Sequence, residues 1–418
     1  MIIFLNNYPN AEELKDGYYN RIVFIDNLFT DYLRFYINES SSVDSLSLKP
    51  VALNAYQINV PINSFACHEF VCQIFSSVQV VTYLHSIYGI NSSFKQSLYK
   101  KAKYKIWDVH GVVPEELIML NQQPISVVNE YNNYEHLAMQ ESDYIICVTK
   151  KMQEHLLNKY FKIQQNKKFI QLPILSIASS QDTFVKTERK IPVVIYSGGV
   201  QKWQSVNKML DWVYNNHTKA RILFLVSDVE FIKFSYRNLY LQEFPGELLS
   251  LLPKDLDSYY KDADYGLILR EDCLVNNVAF PTKLIDYISN GIIPIVDTKN
   301  IGDFNELGLQ VINYHDEING FLDSQINEMR ELNDKILQQI YNIADSAIVD
   351  LQQIMANSYV NNDNFMIVLM DKLCNIHNKF SDVVKQLDRV QNELSSIYNS
   401  KSWQITKPFR WLKSFLSN

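Results

Sequence analysis

Three observations predict an α/β chain of two Rossmann-like domains facing a cleft, with a C-terminal helical coiled-coil extension. Short apolar runs alternate with amphipathic stretches through the first half, the same alternation restarts after a polar linker, and beyond residue 345 an unbroken three-four apolar spacing takes over. Alternation of this kind suits a parallel sheet covered by helices on both faces, because each parallel connection needs a crossover. At 418 residues the chain exceeds one ordinary core and accommodates two domains and an extension.

In the first domain, residues 1–178, strands are predicted over 2–6, 33–37, 51–58, 78–84, 105–109, 144–148 and 169–173, with amphipathic helices over 17–28 and 152–160. Residues 176–190 are polar, lack an apolar period and read as a linker. The second domain, 188–345, opens on the strand Ile191-Pro192-Val193-Val194-Ile195-Tyr196 and the turn Ser197-Gly198-Gly199. A helix over 205–214, a strand over 221–226, a strand over 263–270 that ends in Arg270, a helix over 281–291 and a strand over 292–297 follow. Two such domains place two substrates in the cleft between them.

Residues 346–400 carry Met366, Leu369, Leu373, Ile376, Phe380, Val383, Leu387, Val390, Leu394 and Ile397 at coiled-coil spacing, which predicts a homo-oligomer through residues 363–400. A long helix lying on the body of the protein has the same spacing. The tail, 401–418, interleaves Lys401, Lys407, Arg410 and Lys413 with Trp403, Phe409, Trp411 and Phe415. That composition suits peripheral contact with a bilayer headgroup region and docking on a partner subunit equally.

A net charge of −7 argues against a broad nucleic-acid surface. Cys67, Cys72, Cys147, Cys273 and Cys374 are scattered, and the Cys67-His68 and Cys72 cluster lacks the second pair of a zinc site. Reduced thiols in a cytoplasmic protein are expected, with neither a secretory leader nor a membrane-spanning run, and with the tail at the inner face of the cell membrane.

The chemistry concentrates in Phe280-Pro281-Thr282-Lys283-Leu284-Ile285-Asp286-Tyr287-Ile288-Ser289-Asn290-Gly291. Pro281 suits a first helical position and Gly291 a helix stop. Lys283 and Asp286 share a helix face near the positive end of the dipole. A nucleotide diphosphate fits there, its phosphates on the helix start with Thr282 and Lys283 and its sugar hydroxyls on Asp286. A solvated surface ion pair has the same spacing; Arg270, at a strand end of the kind that faces a ligand crevice, favours the site. Gly198 and Gly199 let backbone approach the phosphates.

His110, between Asp108 and Gly111 at a strand end, is the candidate catalytic residue, for contact with a donor sugar or proton handling; a histidine that only caps its loop is the plain alternative. No cofactor and no metal is expected, since side chains and a helix N-terminus serve the diphosphate and no Asp-x-Asp pair stands at a suitable strand end. The absence of G-x-G-x-x-G after the first strand disfavours a nucleotide-dependent oxidoreductase.

With these residues in place, the chain resembles bacterial glycosyltransferases of the GT-B fold, especially glycosyltransferase family 4 and related enzymes of surface-polysaccharide assembly. The resemblance covers roughly residues 1–345 in layout and rests on Asp16-Gly17-Tyr18-Tyr19-Asn20-Arg21-Ile22, Asp108-Val109-His110-Gly111-Val112-Val113-Pro114-Glu115-Glu116 and Ser142-Asp143-Tyr144-Ile145-Ile146-Cys147-Val148-Thr149. A tail like Ser402-Trp403-Gln404-Ile405-Thr406-Lys407-Pro408-Phe409-Arg410 also occurs on many polysaccharide glycosyltransferases.

The resemblance implies a nucleotide-diphosphate sugar as donor and a glycan, lipid-linked glycan or glycoprotein as acceptor, approached at Asp16 and Gly17, with retention of configuration favoured. It implies a ribose-binding role for Asp286, where the family usually has Glu, and a diphosphate role for Lys202, the one member of the family's Arg and Lys pair available here. Val278 stands eight residues before Asp286, where the family has a second acid. A non-catalytic GT-B-like subunit that scaffolds a glycosyltransferase complex is the alternative.

Overall fold

The computed structural model describes residues 1–15, 17–76, 78–163, 167–175, 189–251 and 255–358. Asp16, the greater part of the predicted linker, the segment 363–400 and the tail 401–418 lie outside the described residues.

The first domain contains β1 (Ile2–Phe4), β2 (Arg34–Ser40), β3 (Ser47–Ala52), β4 (Ala55–Pro61), β5 (Val81–His85), β6 (Tyr104–Val109), β7 (Tyr144–Cys147) and β8 (Lys168–Gln171). Its helices are α1 (Gly17–Asn27), α2 (Phe65–Ser76), α3 (Ser93–Lys101), α4 (Val113–Leu120), α5 (Ile125–Glu141) and α6 (Lys150–Lys159). The strands form one sheet in the order β3-β4-β2-β1-β5-β6-β7-β8. Parallel register places Ile2 beside both Arg34 and Val81. Ile2, Ile3 and Phe4 are all buried, as expected for a strand covered on both faces.

The predicted strand over 51–58 is two strands, because Asn54 adopts a left-handed conformation (φ 54°) and turns the chain between β3 and β4. Asn tolerates that region through its short polar side chain. Helix α2 is not announced by the sequence pattern, because Phe65, Phe70, Val71, Cys72, Ile74 and Phe75 are too nearly continuous to show a helical period.

The second domain contains β9 (Val193–Gly198), β10 (Arg221–Val226), β11 (Glu247–Leu249), β12 (Tyr265–Ile268), β13 (Ile293–Val296) and β14 (Ile312–Asn313). Around them lie α7 (Val206–Asn216), α8 (Val229–Tyr240), α9 (Asp257–Asp262), α10 (Leu274–Asn277) and α11 (Thr282–Ser289). This sheet runs β11-β10-β9-β12-β13-β14, with parallel pairing throughout. In each sheet the strand order reverses beside its first strand, between β1 and β5 and between β9 and β12. Crevices outside the carboxyl ends of strands at such reversals are where open α/β sheets take ligands.

Helix α12 (Asp323–Ser358) has 36 residues, a length of about 54 Å. Ile326 near its start joins the core of the second domain, whereas Ala344, Ala347, Leu351 and Met355 join the core of the first. The boundary expected at residue 346 therefore falls inside a continuous helix. Three-four spacing fixes an apolar stripe but not what covers it, and from Ala344 to Met355 the cover is the core of the first domain.

Side chains also tie the two sheets. Thr149 Oγ1 accepts from Met152 N (3.0 Å), capping α6, and donates to the Val278 carbonyl (2.7 Å). Asp303 accepts from the amides of Lys150 (2.6 Å) and Lys151 (3.0 Å) and from Gln171 Nε2 (2.8 Å), placing a carboxylate of the second domain on the positive end of a first-domain helix.

Candidate active site

The apolar face of α11, formed by Leu284, Ile285, Tyr287 and Ile288, is buried and fixes the helix against its sheet. The Tyr287 ring fits over Gly266 of β12, where a β-carbon would overlap ring carbon Cε2. Tyr287 Oη accepts from Ser197 N (3.0 Å), and Tyr260 Oη donates to Ser197 Oγ (2.8 Å), so the end of β9 is pinned to α11. At the other end of α11 Gly291 has φ 64°, and its amide reaches the Ile288 carbonyl (3.1 Å) while that of Ile292 reaches Tyr287 (2.9 Å). These two bonds make a Schellman stop. Pro281 takes the extended position before the helix and Thr282 opens it, one residue later than the sequence suggests.

This packing gathers Gly198, Gly199, Arg270, Thr282, Lys283 and Asp286 around the β9/β12 reversal. Lys283 extends back over Gly198, with Nζ 5.8 Å from the centroid of the Tyr196 ring. Burial and, after it, the Arg270 charge together lower its pKa to about 7, with Asp286 opposing them. Arg270 is only 8% exposed, its Nε has no hydrogen-bond partner, and burial lowers its pKa to about 10. Neither cation has a carboxylate at ion-pair distance among the described residues. Lys283 and Asp286 are thus not a surface ion pair. A buried guanidinium and a half-buried ammonium close enough for one charge to act on the other, with Asp286 nearby but not at ion-pair distance, favour a doubly charged ligand.

Lys202 stands apart from this group. It is exposed, and Nζ donates to the Met119 carbonyl of α4 (2.9 Å), a bond between the domains.

In the first domain, His110 follows β6 and lines a cavity of about 580 Å³ at the β1/β5 reversal, together with Asn6, Gly17, Tyr18, Lys95 and Glu116. Beneath it lies a polar group that the sequence does not single out. Asp108 pairs with Arg21 through both oxygens (3.1 Å each) and accepts from Tyr83 Oη (2.9 Å). His110 Nε2 lies 3.3 Å from Asp108 Oδ2 and 3.3 Å from His85 Nδ1. Burial would raise the Asp108 pKa, but Arg21 and His110 outweigh it and hold the carboxyl well below its usual range. Burial lowers His85 to about 4, so this ring is neutral. A proton on His110 Nε2, held by Asp108, leaves Nδ1 as an acceptor, and Nδ1 is buried without a partner.

Donor atoms of His85, Asp108 and His110 lie within 4.8 Å of one another, a spacing open to a metal. Both oxygens of Asp108 already serve Arg21, however, and a metal ion would sit against that guanidinium. The chemistry fits a proton-holding network better. Glu116 folds over Gly111, where a β-carbon would overlap Oε1, and burial raises its pKa to about 7. The available signal for His85 and Asn6 is a polar residue at the carboxyl end of a predicted apolar strand.

No protein-family model and no curated protein matches this chain. Solved structures do. OtsA in its apo form aligns with a TM-score of 0.58 at 12% identity, over 86% of this chain and 99% of its own. The α,α-trehalose 6-phosphate synthase of Burkholderia multivorans aligns at 0.57 and 10% identity, over 85% and 97%. Sucrose-phosphate synthase of Thermosynechococcus elongatus aligns at 0.54 and 10%, over 85% and 98%. At such identities the likeness establishes the fold, which is the two-domain GT-B architecture. Among the described residues no helix is long and apolar enough to cross a membrane.

Proposed function

We propose that the protein is a glycosyltransferase that moves a sugar from a nucleotide diphosphate to a hydroxyl of a glycan, lipid-linked glycan or glycoprotein, in surface polysaccharide or glycoconjugate assembly. The carrying observation is the pair Arg270 and Lys283, neither of them in an ion pair among the described residues, set against the Gly198 backbone at a sheet reversal. In support, trehalose-6-phosphate synthase from E. coli, which shares the fold, is described bound with UDP-2-fluoro glucose.

In this scheme the diphosphate lies on Arg270, Lys283, Thr282 and the Gly198-Gly199 backbone, and Asp286 takes the ribose hydroxyls. The bond between the anomeric carbon and the phosphate oxygen breaks, and the nucleoside diphosphate leaves with the electron pair. The two cations stabilise the charge that develops there, with no metal required. The acceptor oxygen bonds to the anomeric carbon and its proton passes to the released phosphate. Work on trehalose-6-phosphate synthase concerns transfer with retention, and the same stereochemistry is proposed here. His110, held by Asp108, stands in the first-domain cavity where the donor sugar and the acceptor hydroxyl meet. Cytoplasmic placement with peripheral membrane contact belongs to this proposal.

A thermal-shift panel of nucleoside diphosphates and nucleotide-sugars tests the reading, since a ligand of the native state stabilises it by mass action. At least one should raise the melting temperature of the protein and fail to do so for Lys283→Met. No stabilisation anywhere in the panel would favour a scaffolding subunit.

A further inference from the structure

We propose that the cavity at the β1/β5 reversal takes an acceptor bearing hydroxyl groups and one anionic group, carboxylate or phosphate, and that Lys95 holds the anion. This rests on the glycosyltransferase reading and names the acceptor class for it.

Lys95 stands in the first turn of α3, where its amide donates to the N-cap oxygen Ser92 Oγ (3.3 Å). The residue is 9% exposed and lines the cavity, yet Nζ has neither a hydrogen bond nor a carboxylate within 4 Å among the described residues. Glu39 is the carboxylate whose charge reaches it. That group is already engaged: Oε2 accepts from the Ser92 hydroxyl and Oε1 lies 3.4 Å from His68 Nε2. The stem is buried while the ammonium faces the cavity without a protein partner, so an incoming anion would gain a charge-assisted bond there. The positive end of the nine-residue α3 favours the same charge.

The remainder of the cavity asks for donors. Asn6 Oδ1 and His110 Nδ1 are buried acceptors without partners, and both residues line it. Sugar hydroxyls supply such donors. A neutral sugar would satisfy Asn6 and His110 and leave Lys95 unpaired, whereas a uronate or a sugar phosphate satisfies all three. Burial lowers the Lys95 pKa, partly countered by Glu39, consistent with a cation kept short of anions until ligand arrives.

The test titrates the full-length protein with glucose, glucuronate and glucose 6-phosphate, with and without UDP, by saturation-transfer NMR. At least one anionic probe should bind about tenfold more tightly than glucose. Lys95→Met should abolish that preference and Lys95→Arg retain most of it, while UDP binding, the check on folding, stays unchanged in both. Comparing the two anionic probes separates carboxylate from phosphate. Equal binding of all three sugars by the unmodified protein, or a preference that survives Lys95→Met, would overturn the proposal. Loss of UDP binding by the unmodified protein would count against the donor reading alone, since the anion preference is read without UDP.

Discussion

Lys283 crosses directly over the α-carbon of Gly198, so that a β-carbon there would overlap both Cε and Nζ of the lysine. The glycine leaves room for a side chain far along the sequence, and its own φ of 152° is one that other residues rarely adopt. Gly198→Ala must displace the lysine. The expected result is a loss of UDP affinity of roughly tenfold or more, since it combines backbone strain with a lost charge-assisted contact. A UDP titration followed by intrinsic fluorescence measures it, and undiminished affinity in both Gly198→Ala and Lys283→Met would exclude Lys283 from the site.

The position of Lys283 also makes donor binding proton-linked. Its pKa, lowered from 10.5 to about 7, means that the native state binds fewer protons than the unfolded chain between those values, so the ligand-free fold gains stability as pH rises through that window. An anionic ligand restores the charged form. UDP binding near pH 8 should take up a fraction of a proton, and affinity should fall as pH climbs above about 7. Calorimetry in buffers of different ionisation enthalpy reads the uptake, which Lys283→Met should remove.

Asp108 and Arg21 form a buried pair in the first domain, with side chains 0% and 1% exposed. Asp108→Asn leaves the guanidinium without its anion, at a cost of about 3–5 kcal/mol. Because the Asp108 pKa is depressed, its contribution is present above the unfolded carboxyl value and lost as pH falls through the folded one. Urea unfolding at neutral pH should show the loss in Asp108→Asn, and a much smaller one in the double variant Arg21→Met, Asp108→Asn.

Glu116 titrates in the opposite sense. Its pKa is raised by burial from 4.5 to about 7, so the native state holds a proton that the unfolded chain releases, and stability declines as pH rises from 4.5 to about 7. Glu116→Gln should flatten that part of the melting-temperature profile relative to the unmodified protein. Parallel profiles would show that the carboxyl is ionised across the range.

Much of the architecture is legible in the sequence. Apolar runs such as Tyr144-Ile145-Ile146-Cys147 and Ile293-Pro294-Ile295-Val296 announce buried parallel strands because both faces must be apolar. Gly291 announces the end of α11 because a left-handed residue is needed there. Lys283, Asp286 and Arg270 are recognisable as neighbours because a helix start and a strand end of one α/β unit meet at the same sheet edge.

What the tertiary structure alone decided concerns partners distant in sequence. Lys202, the nearer cation to the Gly198 turn in the chain, is drawn to the Met119 carbonyl of the other domain, while Lys283 reaches Gly198. Asp108 meets Arg21 and His85 only because β6 lies beside β5 and α1 packs where their ends converge. The stripe on α12 is covered by the core of the second domain at Ile326 and by that of the first from Ala344 to Met355. Sequence periodicity determines which face of an element is apolar and where the element stops. Which surface covers that face, and which charges remain unpaired at the strand ends, follows from the order of strands across the sheet, a long-range choice that no local pattern encodes.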